Sequence, residues 1–168
     1  PPHYKDSETH FPVLLMNDGQ DFVNLELEKT LPSAFSSKTG RPFVYVGIEA
    51  NNNRIQEYGT ASSPDFKGRG AKAVNYSKFL IEEFIPFLRT EFKVSKDAQD
   101  WVYCGMSLGG LSAFDIVYNN AQYFGKVGVF SGSFWWRNKA YTNNDVADRS
   151  RIVLDVVKKG TYNPHLKF

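Results

Sequence analysis

Cysteine is almost absent from this chain of 168 residues. Cys104 stands alone, which excludes an internal disulfide and says little about redox compartment. Histidines number three and are scattered, with no Cys/His or His/carboxylate spacing of the kind that holds a metal. Apolar runs are strand-sized, well short of the ~18 residues a membrane span needs. No secretory signal is read either, which leaves a bacterial cytoplasm and export both open. Charge of one sign is also lacking. Lys and Arg total 20 against 18 Asp and Glu, a net charge of +2 with no basic block, so nothing points to nucleic acid. Repeats and low-complexity tracts are missing.

The chain does have an ordinary globular composition, 42% hydrophobic and 23% charged, at a length that suits one domain. Strand and helix patterns alternate along it, the mark of a parallel α/β sheet. Phe11 to Met16 reads as a buried strand closed by the turn Asn17-Asp18-Gly19, and Pro42 to Ile48 as a second, rich in Val and aromatics. Between them, Leu25 to Phe35 carries helical spacing, ended by Thr39-Gly40. The polar stretch from Glu49 to about Gly70 predicts a long mobile loop. From Tyr76 to Phe92, apolar residues at Tyr76, Leu80, Phe84 and Leu88 predict a helix facing the sheet, with Pro86 kinking it. Strands follow at Trp101–Cys104 and Lys126–Phe130, then a helix from Arg151 to Lys159 stopped by Gly160. A strand has only begun at His165–Phe168.

The most informative segment is Gly105-Met106-Ser107-Leu108-Gly109-Gly110, entered from a strand and left through a helical pattern, Leu111 to Tyr118. A serine between glycines at such a turn is a nucleophile elbow. Side chains two residues before and after the serine would clash, so glycine is needed there and the hydroxyl stands exposed. An ordinary Gly-rich turn with a capping serine explains one of these glycines but not all. Cys104, in the strand before it, reads as a small buried hydrophobe rather than a reactive thiol.

Several segments, in order, resemble the esterase family of α/β-hydrolases that includes esterase D, enterochelin esterases, feruloyl and acetyl-xylan esterases and mycolyltransferases. Pro1-Pro2-His3-Tyr4-Lys5 is similar to the family's "PPGY", and Phe11 to Gln20 to its strand "YPVLYLLDGQ". Arg54 with Glu57-Tyr58 resembles its "R..EY" loop. Phe84 to Leu88 resembles its kinked "ELIPYI" helix, and Ser131 to Trp136 follows the elbow in the family's order. The resemblance implies an α/β-hydrolase fold, a mostly parallel sheet flanked by helices. Ser107 would be the nucleophile, and the backbone N–H groups of Leu108 and Gln20 an oxyanion hole; otherwise Gln20 is an ordinary loop residue. Phe134, Trp135 and Trp136 either wall an acyl or sugar pocket or form a packed core cluster. Arg54 and Glu57 either contact substrate or form a surface ion pair.

A serine nucleophile needs a histidine to take its proton and a carboxylate to orient that histidine, in chain order serine, acid, histidine. After Ser107 come Asp115, Asp145, Asp148, Asp155 and one histidine, His165. Asp115 reads as an exposed position on the elbow helix, Asp145 and Asp148 as loop, and Asp155 as helical. His165 falls at the wrong end of its strand. In the family, the acid follows the strand that starts near Leu166 and the histidine comes later. The expectation is therefore a single α/β-hydrolase domain over 1–168, incomplete at both ends and a piece of a longer protein. The expected activity is a serine carboxylic-ester hydrolase acting through an acyl-serine on a small-molecule or carbohydrate ester, without cofactor or metal. Acyl transfer to a sugar and a non-catalytic carbohydrate-binding module are the alternatives.

Overall fold

The structure, a computed structural model, describes residues 1–36, 40–143 and 149–168. Four parallel strands form the sheet: β1 (Val13–Asn17), β2 (Val44–Ile48), β3 (Trp101–Met106) and β4 (Lys126–Phe130), in the order β2-β1-β3-β4. Each crossover carries helix: α1 (Leu27–Ser36) before β2, α2 (Arg54–Glu57), α3 (Ala73–Lys78) and α4 (Ile85–Glu91) before β3, and α5 (Leu108–Asn119) before β4. After β4 comes α6 (Ile152–Lys159).

Alternate side chains of a strand share a face. Val13 and Leu15 of β1, Trp101 and Tyr103 of β3 and Val127 of β4 are all buried, in one cluster with Leu80, Ile85, Leu88, Leu111, Ile116 and Val117. That cluster is the core, between the sheet and helices α4 and α5. On the other face Leu14 and Val102 stay half-buried, while Cys104 is enclosed and burial pushes its thiol up to about 11. It is protonated at neutral pH, as a small hydrophobe would be.

The chain leaves β1 toward β2 on one side and β3 toward β4 on the other. Their C-terminal ends therefore flank a point where the winding reverses, the crevice in which open α/β sheets place ligands. Register fixes the edge: Met16 pairs with Cys104, and Met106 with Phe130.

Departures from the sequence expectations have local causes. The first helix begins at Leu27 rather than Leu25, because Glu26 takes φ 51°, outside the helical region. Its expected stop at Thr39 lies outside the described residues. The expected kink at Pro86 is a π-helical turn over Phe79–Phe84 that joins α3 to α4, with the proline in the first turn of α4. The stretch from Glu49 to Gly70 is not a loose loop. It holds α2, buries Tyr58, Thr60 and Asp65, and is pinned to its flank by Gly70 N–H to Ile55 O and Lys72 N–H to Gln56 O. The strand begun at the chain's end is a single parallel bridge, Lys167 to Lys126.

Candidate active site

Ser107 sits between β3 and α5 at φ 52°, ψ −118°, a conformation that residues with a Cβ rarely adopt. Its surroundings hold it there. Its N–H donates to Phe130 O at 3.0 Å, and its carbonyl accepts from Ser133 N–H at 3.0 Å and Leu111 N–H at 3.1 Å. The loop after β4 thus grips both backbone groups of Ser107. Leu108, Gly109 and Gly110 behind it are buried, while Ser107 is exposed.

The glycines are required by contact. A Cβ at Gly105 would lie 2.5 Å from the Gly109 carbonyl, and one at Gly109 would lie 2.7 Å from Asp18 Oδ2. The second distance also shows that the turn after β1 lies against the first turn of α5. Asn17 Nδ2 confirms the approach by donating to Gly109 O at 2.8 Å.

The N–H of Leu108, at the first position of α5, is among the donors a helix cannot satisfy within itself. Gln20 lies across from it in a 3-10 turn, Gly19–Phe22, entered through Asp18 at φ 58°. Its side chain is already engaged. Oε1 accepts from Ala50 N–H at 2.9 Å, and Nε2 donates to Asp18 Oδ1 at 3.3 Å.

Two expected substrate residues are committed elsewhere. Arg54 forks onto Asp18, with Nε to Oδ1 at 2.6 Å and a terminal nitrogen to Oδ2 at 2.8 Å, and lies over the Tyr58 ring. That hydrogen-bonded pairing holds the guanidinium pKa above its ordinary value. It is more than a surface pair, because the Asp18 side chain is only 5% exposed. Trp136 is 0% exposed, so it packs in the core and offers no face to substrate. Trp135, 48% exposed, remains open, with the Arg69 guanidinium 5.0 Å from its ring centre. Asp65 in turn holds Arg69. Glu57 lines a separate cavity of about 300 Å³ with Asn51, Lys72, Asn75, Tyr76 and Phe79, and none of Ser107, Leu108 and Gln20 lines it.

Of the carboxylates after Ser107, Asp115 is not exposed as expected. It is buried, and Oδ2 accepts from Ala61 N–H at 2.8 Å, because the 58–63 segment folds over α5. Burial pushes its pKa up to about 6. Asp155 sits on α6, 4.0 Å from Lys159, and Asp145 and Asp148 lie outside the described residues. His165 is exposed beside the start of β4, the edge opposite Ser107, where its carbonyl accepts from Gln99. Among the described residues, the side-chain partner of Ser107 Oγ is Ser133 Oγ at 3.3 Å. Sequence reading passed over Ser133. Its signal was a serine just past a strand that neighbours the elbow strand.

The family described as "Putative esterase" matches residues 1–166. The chain belongs to the esterase family. It is 32% identical over 146 residues to YbbA of Bacillus subtilis, an uncharacterised protein, covering 84% of this chain and 58% of that one. The fold is that of the α/β-hydrolase esterases. An enterochelin esterase from Shigella flexneri superposes with a TM-score of 0.70 at 22% identity, over 90% of this chain and 35% of that one. A ferulic acid esterase does so with a TM-score of 0.64 at 20% identity, over 90% and 56%. This esterase-family chain thus spans little more than half the length of the curated relative it matches. Among the described residues, no helix is long and apolar enough to cross a membrane, and no group of three or more His, Cys, Asp or Glu is placed to hold a metal ion.

Proposed function

We propose that this chain carries the nucleophile and oxyanion hole of a serine carboxylic-ester hydrolase acting on a small-molecule ester. The observation that carries the reading is Ser107 itself. It is a non-glycine residue at positive φ, clamped by β4, exposed, and followed by a helix-initiating amide. Such strain persists only where surroundings enforce it, and it clusters at functional sites.

In this reading Ser107 Oγ attacks the ester carbonyl carbon while a histidine takes its proton. The carbonyl π pair moves to oxygen, where the N–H groups of Leu108 and Gln20 stabilise the charge; each such donor contributes about 3 kcal/mol to the barrier. Collapse expels the alcohol, protonated by the histidine, and leaves an acyl-serine that water then hydrolyses by the same steps. Among the described residues, no histidine or carboxylate is hydrogen-bonded to Ser107 Oγ. Support for small esters comes from the family and from the Shigella flexneri enzyme, one of whose structures was determined in the presence of enterobactin.

The test is labelling of the full-length protein with a fluorophosphonate. The expected result is one adduct, on Ser107, lost in Ser107→Ala. A folded protein that takes no adduct, or takes it equally after the substitution, overturns the reading.

A further inference from the structure

Asn17 ends β1 with its side chain wholly buried, and both its polar atoms are bonded. Oδ1 accepts the Tyr103 hydroxyl at 2.6 Å and the Tyr76 hydroxyl at 2.8 Å. The two phenol oxygens lie 3.3 Å apart. Burial holds both phenols well above their ordinary pKa, so each stays a donor. With Oδ1 filled by these donors, Nδ2 is the atom that reaches Gly109 O, at 2.8 Å.

The position of this amide matters more than its burial. Gly109 is one residue past Leu108, and Asn17 is three residues before Gln20. The Asn17–Gly109 bond therefore spans the gap between the two turns that carry the amides of Leu108 and Gln20, the donors of the proposed oxyanion hole. The next residue is held as well, because Asp18 N–H donates to Tyr58 Oη at 3.2 Å. A buried polar network is costly unless every member is satisfied, and then it rigidifies what it joins.

We propose that Asn17 is a positioning residue, which sets the separation of the Leu108 and Gln20 amides through its bond to Gly109 O. The proposal rests on the ester-hydrolase reading of Ser107. The oxyanion develops only in the transition state, so a changed separation lowers kcat and leaves KM nearly alone.

The experiment compares p-nitrophenyl ester turnover by the full-length protein, Ser107→Ala, Asn17→Leu, and Asn17→Leu combined with Tyr76→Phe and Tyr103→Phe, each with its Tm. Asn17→Leu is expected to lower kcat by about 10- to 100-fold, the loss that an ångström-scale misplacement produces, with KM within about 2-fold. It also orphans two phenols and lowers Tm. The combined variant removes those hydroxyls and regains Tm, while kcat stays low because Gly109 O still has no partner on β1. If kcat returns with Tm, or if Asn17→Leu keeps full kcat, the proposal is overturned. Turnover that is indifferent to Ser107→Ala overturns the hydrolase reading and this one together. Turnover that needs Ser107 and ignores Asn17 overturns this one alone.

Discussion

Replacing Ser107 by glycine should inactivate the protein and yet leave it more stable than replacement by alanine does. At φ 52° and ψ −118° the serine Cβ is crowded, a strain of about 1–3 kcal/mol for a residue in a sparsely populated region. Glycine adopts this conformation without that strain, but it loses about 0.5–1 kcal/mol more backbone entropy on folding. The difference leaves a net gain of up to roughly 2.5 kcal/mol for Ser107→Gly over Ser107→Ala. Both variants lack the hydroxyl, and with it the 3.3 Å contact to Ser133 Oγ, so the comparison isolates the backbone. For a protein of this size, each kcal/mol moves Tm by about 2–4 °C. Ser107→Gly should therefore melt a few degrees above Ser107→Ala by differential scanning calorimetry, with neither variant taking a fluorophosphonate. A glycine variant that melts at or below the alanine variant would refute the claim that β4 imposes the strain. The elbow would then be a conformation the serine adopts at no cost.

Asp115 should make stability fall as pH rises. Its folded pKa, raised by burial to about 6 from an ordinary 3.8, means that the folded state holds the proton more tightly. The stabilising effect is complete below about pH 4 and lost as pH climbs through 6, a swing of about 3 kcal/mol for a shift near two units. Asp115→Asn, which still accepts from Ala61 N–H, should flatten that part of a urea-melt pH series and stabilise the protein at pH 7; a wild-type slope retained in the variant would refute the assignment. Arg54→Lys should fail to replace arginine, because a point charge cannot reproduce the two-pronged contact with Asp18. The expected loss is about 1–2 kcal/mol in chemical denaturation, together with slower labelling of Ser107, and a neutral result would show that the fork is dispensable.

The strands, their parallel direction and the strand-to-helix turn at Ser107 could be read from sequence because their signals are local. Apolar runs of strand length carry β1, β2, β3 and β4, and Gly105 is dictated by a contact within a single turn, with the Gly109 carbonyl. The polar residues were a different matter. Arg54 and Trp136 read as candidates for touching substrate and Asp115 as a surface position, yet Arg54 turns to Asp18, Trp136 enters the core and Asp115 caps the amide of Ala61. All three depend on one event, the folding of residues 49–70 back over α5 and the loop after β4. That segment looked like solvated loop because its asparagines, serines and glycines carry no period. Its order comes instead from side chains that satisfy its own backbone, as Asp65 does for Lys67 and Arg69 N–H. Asn17 failed to announce itself for the same reason. A lone polar residue after a strand reads as the start of a turn until the tyrosines from α3 and β3, 59 and 86 residues away, arrive on it. In this fold the residues that shape the crevice are thus set by long-range hydrogen bonds, and the Ser107 turn combines one local contact, Gly105 against Gly109, with bonds from Phe130 and Ser133.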